Sequence, residues 1–280
     1  MAIADVVRTR PRTEGTTRTR ASAVLRVGWA PLIEVASVLA LFVAYNVGRW
    51  IATGREATAD VHARDLVALE RWLHLPSEEM LQRWAFDVPH LIDFCNRYYV
   101  LVHFPLTVGV LVWLYAFRRP AYTWAKRALI MATGAAMVIH IALPMTPPRL
   151  LSGLGMVDTG SRSGESVYGG ASPVGGLANQ YAAMPSLHVG WSLLLAVVLI
   201  MSSRSRWRWL WVLHPILTTV TVVVTANHYL LDAVAGAALV LAALWLAERW
   251  WGSASAARPA GRDLSAPGAP CAARPGPAAG

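Results

Sequence analysis

The sequence AMPSLHVGWSLLLAVVLIMS, residues 183–202, joins a short polar motif directly to a long apolar run. Ser186 and His188 therefore lie where an apolar segment begins. A second stretch, NHYLLDAVAG at residues 227–236, has the same arrangement, with a histidine and an aspartate at the start of another apolar run. Neither run alternates polar and apolar residues with a period of two, so both are predicted to be helices rather than strands.

The composition is that of a chain that lies in a membrane. Apolar residues make up 55% of the 280 residues and charged residues only 15%, and the mean hydropathy is +0.42. The formal net charge is +9, but the basic residues form short clusters between apolar segments, which is typical of orientation signals. We therefore expect an integral membrane protein with membrane lipids around it and no nucleic-acid partner.

Six apolar segments are each close to the roughly 20 residues that cross about 30 Å of hydrocarbon. They comprise residues 29–48, 91–117, 124–144, 186–203, 207–226 and 228–250. The sequence thus predicts an all-α integral membrane protein, a bundle of six transmembrane helices within a domain at 28–251. Because almost nothing separates the fifth segment from the sixth, a fused or re-entrant pair stays open as an alternative.

The two ends of the chain differ from the middle in composition. Residues 1–27 carry arginines among Thr, Ser and Ala without a compact apolar core and cleavage site, so we predict a disordered basic arm rather than a signal peptide. Residues 252–280 consist mainly of Ala, Pro, Gly and Arg, which cannot bury enough apolar surface to fold. Cys95 and Cys271 offer neither a disulfide framework nor a metal quartet.

Residues 55–90 are predicted to form two short amphipathic helices, on the membrane surface or over the end of the bundle. Helical spacing relates a set of apolar residues in the first of them: Leu66, Leu69, Trp72 and Leu73. Ser77 follows a proline and is a suitable N-cap for the second helix, with Glu78 and Glu79 in its first turn.

The basic clusters predict how the chain crosses the membrane. The N-terminal arm, residues 118–127 and residues 204–208 are rich in basic residues, and six spans place all three on one side, which the positive-inside rule makes cytoplasmic. We therefore expect a multi-pass cell-membrane protein with both termini in the cytoplasm. His188, His228 and Arg149 then meet at the extracytoplasmic interface, and ionisable residues at membrane depth are functional candidates.

The spacing of His228 and Asp232 predicts a catalytic pair. Residues four apart on a helix share one face, with Cβ atoms about 5–6 Å apart. The carboxylate can then accept the Nδ1 proton of the imidazole, which leaves Nε2 free as a nucleophile or base. His188, from another helix, is the candidate general acid that protonates a leaving oxygen.

Phosphate binding is predicted for two groups near these histidines. Arg149 follows two prolines that stiffen the backbone, and its planar guanidinium suits phosphate oxygens. Ser186 starts a helix whose free backbone N–H groups form an anion site, to which the serine hydroxyl adds. Such a set can transfer a phosphoryl group without a metal or another cofactor.

Five further polar residues have weaker predictions. His103 is either a structural residue or a contact for the substrate headgroup. Asn227 and Tyr229 flank the candidate nucleophile and are candidate substrate contacts. His140 and His214 are predicted to make hydrogen bonds between helices, which is the ordinary role of a single histidine in a membrane helix.

The motifs AMPSLH at 183–188 and NHYLLDAVAG at 227–236 resemble the second and third signatures of the type-2 phosphatidic acid phosphatase superfamily. The closer resemblance is to its inositol phosphorylceramide synthase-like branch, the inositolphosphotransferases. HFP at 103–105, RRP at 118–120 and PMTPPRLL at 144–151 also resemble that branch. The resemblance covers roughly residues 30–250.

This resemblance implies a membrane enzyme of lipid metabolism, a lipid phosphatase or phosphotransferase that works through a phosphohistidine. In the superfamily the later histidine is the nucleophile, paired with the aspartate, and the earlier histidine is the acid. These roles fall to His228, Asp232 and His188. The implied partners are a lipid phosphate and either water or an alcohol acceptor.

The chain departs from the superfamily pattern at two places. The first signature has a lysine seven residues before Arg-Pro, but Lys126 is the only lysine here and lies on the predicted cytoplasmic side. The third signature has an arginine six residues before its histidine, where this chain has Val222. Phosphate binding is therefore expected to depend more heavily on Arg149 and on backbone amides.

Two functions from other classes stay open. Ser186 and His228 could form the dyad of an intramembrane hydrolase, although no glycine-flanked nucleophile turn surrounds the serine. A transporter or scaffold could bind an anionic headgroup without chemistry, although the sequence has no clear internal repeat. The long loop at 145–185 is predicted to be a mobile lid, with Asp158, Arg162 and Glu165 on a solvated face.

Overall fold

The computed structural model describes residues 54–163 and 180–251, together with separate positions between 32 and 46. The predicted disordered arm at 1–27 and tail at 252–280 lie outside the described residues, as does most of the first predicted span. Part of the predicted lid, residues 164–179 with Glu165, lies outside them as well.

Every regular element in the described residues is helical, which confirms the predicted all-α class. Met145 and Ala182 pair only as an isolated bridge. The helices are, in chain order, α1 (Glu56–Trp72), α2 (Glu78–Asp87), α3 (Leu91–Leu101), α4 (His103–Phe117), α5 (Arg119–Ala142), α6 (Thr159–Ser163), α7 (Leu187–Ser202), a 3-10 segment (Arg206–Val212), α8 (Leu213–Val224) and α9 (Leu230–Trp251).

Three helices are long and apolar enough to cross a membrane: α5, α9 and the helix Arg206–Val224 that the 3-10 segment and α8 form together. The pair α3 and α4, bent by 40°, makes a fourth if it is one span. Helix α7 is apolar but has only 16 residues, which at 1.5 Å per residue gives about 24 Å against about 30 Å of hydrocarbon. The predicted count of six spans is therefore not confirmed by the described part of the chain.

The centre of the bundle is formed by α5, α7 and α9. Helix α5 contributes a row of small buried residues: Ala121, Ala125, Ala128 and Ala132. Small residues let helix backbones approach closely, which favours helix association in a membrane. Larger side chains of α7 and α9 pack against the alanine row, among them Leu194, Leu195, Val198, Val240 and Leu244.

Two glycines determine how closely α7 and α9 approach each other. A Cβ added at Gly236 would lie 2.1 Å from the backbone oxygen of Ser186, and one added at Gly190 would lie 3.1 Å from the backbone oxygen of Gly236. The Ser186 N–H also donates to the Asp232 carbonyl over 2.9 Å. The two polar motifs are therefore in direct backbone contact at the start of both helices.

Helices α1 and α2 cover the end of the bundle where these motifs lie. Thr146 Oγ1 donates to Asp60 on α1 over 2.6 Å, and the Arg55 guanidinium donates to the Ile141 carbonyl over 2.6 Å. Gln82 on α2 donates to the Val224 carbonyl over 2.9 Å. Of the two positions predicted for these helices, the one over the end of the bundle agrees with these contacts.

The predicted apolar face of α1 is only partly buried against the bundle. Leu66 is buried, but Trp72 is 73% exposed and its predicted partners Leu69 and Leu73 are exposed too. Glu70, in contrast, is 4% exposed. The helix turns this carboxylate inward because it accepts a hydrogen bond from the first turn of α9.

Candidate active site

His228 lies in a tight connection between α8 and α9. Its N–H and that of Asn227 both donate to the Val222 carbonyl, over 3.0 and 2.9 Å. Ala226 has a φ of +58°, a left-handed conformation that non-glycine residues adopt at a cost. Because α9 begins at Leu230, the prediction that His228 lies on that helix is wrong. His228 precedes the helix, in a turn held by the Val222 carbonyl.

The hydrogen bonding of His228 assigns its tautomer. Nδ1 is 2.8 Å from the Ala183 carbonyl oxygen, which can only accept, so Nδ1 carries the proton and Nε2 has the free lone pair. Asp232 Oδ2 is 3.5 Å from the same Nδ1. The predicted pair is thus close in space, although Ala183 rather than the carboxylate is the nearer acceptor.

Asp232 also holds the turn that carries His228. Its Oδ2 accepts the Tyr229 N–H over 2.9 Å, and the side chain is completely buried. Its Oδ1 has no hydrogen-bond partner within the described residues. The carboxylate therefore both holds the turn and lies next to the His228 ring.

His188 lies one residue into α7, facing the other histidines. The centroids of the His188 and His228 rings are 5.6 Å apart, and the Tyr99 ring covers His188 at 4.6 Å. His103 is a further neighbour, with ring centroids 5.1 Å apart. The structure therefore brings together the two histidines that the sequence places forty residues apart.

Ser186 serves as the N-cap of α7. Its hydroxyl oxygen accepts the Val189 N–H over 3.4 Å, and the residue is completely buried. The backbone N–H groups of the first turn of α7 lie at this end of the helix, where the helix dipole favours an anion. A phosphate contact for the Ser186 hydroxyl stays a prediction.

Arg149 is held beside the His228 turn. Its N–H donates to the Ala226 carbonyl over 3.0 Å, and its guanidinium donates to Asn227 Oδ1 over 2.8 Å. Asp158 Oδ2 is 4.0 Å from Arg149 Nε. Asp158 therefore lies beside the site, whereas it was predicted to lie on a solvated loop face. The Arg149 charge also interacts electrostatically with His188.

The two predicted substrate contacts beside His228 have partners within the protein. Asn227 orients Arg149, and its amide nitrogen donates to Thr225 Oγ1 over 2.8 Å. The Tyr229 hydroxyl donates to the Thr146 carbonyl over 3.0 Å, and burial raises the pKa of this phenol. Both residues thus join the turn to neighbouring segments, and a direct contact with substrate stays a prediction.

His140 and His214 make the hydrogen bonds expected of histidines between helices. His140 Nε2 is 3.2 Å from the Pro185 carbonyl oxygen and so ties α5 to the start of α7. His214 Nδ1 is 2.6 Å from the Tyr98 hydroxyl, which joins α8 to α3.

Two buried glutamates beside the site were not predicted. Glu78 Oε1 accepts the Leu230 N–H over 3.1 Å, and Glu70 Oε1 accepts the Leu231 N–H over 2.8 Å. With Asp232 on the Tyr229 N–H, three carboxylates occupy three successive donors at the start of α9. This end of α9 is therefore used internally, and the start of α7 is the better anion site.

Glu70 and Glu78 also affect each other. Burial raises the pKa of Glu70 to about 8, against the lowering effect of the Leu231 N–H, and the neighbouring Glu78 carboxylate adds to the rise. A protonated Glu70 hydrogen bonds to Glu78, whereas as a carboxylate its Oε2 has no partner in the part of the chain described. In an amphipathic sequence both residues look like solvated positions, so no local signal marks them.

The arrangement as a whole has the parts of a phosphoryl-transfer site. One imidazole nitrogen is free as a nucleophile, and a second imidazole is next to it. A guanidinium held by Asn227 interacts electrostatically with that second imidazole, which lies in the first turn of α7. No group of three metal-ligating side chains occurs within residues 54–163 and 180–251. Cys95 is buried and free.

Comparison with known proteins gives one match. The family model described as the PAP2 superfamily matches residues 64–246, which include all the site residues named above. No curated protein and no solved structure matches the chain.

Proposed function

Since the chain belongs to the PAP2 superfamily, a family of phosphatase-type membrane enzymes of lipid phosphates, we propose that it works through a phosphohistidine at His228. The observation that carries this proposal is the tautomer of His228, whose Nδ1–H is held by Ala183 so that Nε2 is free. The donor is a lipid phosphoester or phosphoanhydride. The acceptor is water or an alcohol, as in the inositolphosphotransferase branch that the motifs resemble.

In the first half-reaction, His228 Nε2 attacks phosphorus and the bond from phosphorus to the leaving oxygen breaks. Protonated His188 gives its proton to that oxygen. The His228 ring gains positive charge as the bond forms, and the nearby Asp232 carboxylate stabilises it. Arg149 and the first N–H groups of α7 bind the phosphoryl oxygens.

In the second half-reaction, the acceptor hydroxyl attacks phosphorus and the bond to His228 Nε2 breaks. The acceptor proton passes to His188, which restores the starting state of both histidines. Water and alcohols compete for the same intermediate, so the fraction of water excluded from the site decides between hydrolysis and transfer.

The decisive experiment compares purified wild type with His228→Ala and His188→Ala in detergent. Each protein receives phosphate-labelled phosphatidate, polyprenyl diphosphate or phosphatidylinositol, with a chelator present throughout. We expect acid-labile label on the wild-type protein and none on His228→Ala, and a loss of turnover of about 10²–10⁴-fold in His188→Ala. Equal turnover in wild type and His228→Ala would exclude the phosphohistidine.

Ser186→Ala in the same assay separates this chemistry from a serine hydrolase. The Ser186 hydroxyl is buried and caps α7, so its removal should cost stability, about 0.5–2 kcal/mol for a lost N-cap. We expect label still to appear on the protein. Complete loss of label and turnover in well-folded Ser186→Ala would favour the serine nucleophile, whereas activity kept in Ser186→Ala and lost in His228→Ala would exclude the Ser186–His228 dyad.

A further inference from the structure

His103 is a buried imidazole that the proposed chemistry leaves without a role. It begins α4 and is 1% exposed, and neither ring nitrogen has a hydrogen-bond partner within the described residues. Buried polar groups in proteins are almost always hydrogen-bonded, so an unpartnered imidazole requires an explanation. His214 nearby differs, because the Tyr98 hydroxyl occupies its Nδ1.

The position of His103 next to His188 indicates which reactant it would contact. Its ring centroid is 5.1 Å from that of His188, which in turn is 5.6 Å from that of His228. His188 is thus the ring that contacts both of the others. Phosphorus is bound at His228, and His188 exchanges its proton with the leaving or entering oxygen. His103 neighbours His188, so its nearest reactant would be the molecule that carries the leaving or entering oxygen.

We propose that His103 binds the alcohol that accepts the phosphoryl group, through one or both of its free ring nitrogens. This inference rests on the proposed function. In the second half-reaction the acceptor O–H bond breaks, its proton passes to His188, the oxygen bonds to phosphorus and the bond from phosphorus to His228 breaks. His103 forms no covalent bond and keeps its proton; it orients the acceptor by hydrogen bonds.

Phe104 is an exposed side chain that contacts both imidazoles. Its ring lies edge-on to His103 at 5.4 Å and to His188 at 5.7 Å, and the side chain is 43% exposed. The proposed entry route for the acceptor is beside this exposed ring. The acceptor then enters past an apolar ring, which suits a hydroxyl at the end of an apolar molecule as well as a small polyol.

The test measures how each variant divides label between the acceptor and water. His103→Leu removes both ring nitrogens, and His103→Asn keeps a hydrogen-bonding group. His214→Asn is the matched control, because the His214 ring centroid is 6.0 Å from that of His103. The donor is the panel lipid that wild type cleaves. One arm supplies glycerol and the other dioctanoylglycerol in mixed micelles, which separates a soluble polyol from a lipid alcohol.

We expect the ratio of phosphorylated acceptor to free phosphate to fall at least about tenfold in His103→Leu, because a site built to hydrogen bond a hydroxyl depends strongly on that bond. The apparent KM for the acceptor should rise, while hydrolysis and label on His228 stay near wild type. His103→Asn should recover part of the ratio, and His214→Asn should keep it. Size-exclusion profiles and thermal midpoints in detergent confirm folding.

Three results would overturn the inference. An unchanged ratio in folded His103→Leu shows that the imidazole does not bind the acceptor. A parallel loss of transfer and hydrolysis shows a role common to both. A wild type that is labelled and hydrolyses its donor but phosphorylates neither acceptor shows that no alcohol is used. If wild type carries no label and releases no phosphate, the proposed function fails and this inference fails with it.

Discussion

At the scale of single residues, Glu70 shows how the site is supported from behind. Its carboxyl group is buried, accepts the Leu231 N–H and neighbours Glu78 and the Asp232 that faces His228. Three carboxylates this close cannot all be ionised without strong mutual repulsion. The proton that Glu70 retains is therefore part of the folded structure at neutral pH.

Glu70 makes stability depend on pH in a definite direction. Its pKa is about 8 in the folded protein against 4.5 for an ordinary glutamate, so between these values the folded state binds a proton that the unfolded state has released. The free energy of unfolding therefore falls as pH rises through this window. Glu70→Gln resembles the protonated acid and should remove this part of the dependence.

The measurement is the thermal midpoint in detergent from pH 5 to pH 8. We expect the wild-type midpoint to fall by several degrees more than that of Glu70→Gln, since about 1 kcal/mol shifts the midpoint by about 2–4 °C in a domain of this size. Glu79→Gln, on the neighbouring half-exposed glutamate, is the matched control and should behave like wild type. Parallel curves for Glu70→Gln and wild type would contradict the prediction.

The sequence predicts the candidate catalytic residues better than the residues that hold them in place. His188, His228 and Asp232 are marked by position and spacing, and they do meet. Ala226 and Glu70 are not marked, because a left-handed alanine and an inward glutamate contradict local preference and depend on tertiary partners. Predictions from local sequence patterns are expected to fail at such positions.

At the scale of elements, the contact between α7 and α9 sets the distance between His188 and His228, the candidate catalytic histidines. Gly236 meets the Ser186 backbone, so a larger residue there must push one helix away from the other. His188 is carried by α7, and His228 is fixed just before α9. A displacement of about 1 Å between reacting groups can cost about 10²-fold in rate.

Gly236→Ala is therefore expected to reduce turnover by about 10²-fold or to prevent folding. Gly134→Ala is the matched control: it lies in the membrane helix α5, and an added Cβ there meets nothing within 4 Å. We expect this control to keep wild-type turnover and to be as stable or slightly more stable, because alanine favours helices over glycine. The measurement is the turnover of both variants in parallel, together with their thermal midpoints. Equal turnover of the two variants would show that the contact does not control the site.

The elements also show which boundaries local sequence cannot predict. A single apolar run at 91–117 becomes two helices bent by 40°, and the run at 228–250 begins its helix two residues late. In both cases the change of direction places a histidine, His103 or His228, at the break. Hydropathy does not register such breaks, because all the residues around them are compatible with a membrane.

At the scale of the whole molecule, the site and the basic clusters at 118–127 and 204–208 lie at opposite ends of the bundle. Helix α5 ends near the site, where His140 reaches the Pro185 carbonyl, and α7 starts there. The start of α5 and the end of α7 therefore lie at the other end. Arg127 lies over the ring of Trp251, which places the end of α9 there too. Basic clusters are typical of the cytoplasmic side, and tryptophan is typical of a membrane interface on either side.

This arrangement predicts that the site opens on the extracytoplasmic side and that residues 204–208 face the cytoplasm. In a Cys271→Ser background, Ser152→Cys probes the exposed segment beside Arg149, and Ser205→Cys probes the exposed basic connection. The native Cys95 is buried. On intact cells, a membrane-impermeant thiol reagent should label Ser152→Cys at once and label Ser205→Cys only after the membrane is permeabilised. Active protein with the reverse pattern would place the site in the cytoplasm, where its lipid donor would have to come from the inner leaflet.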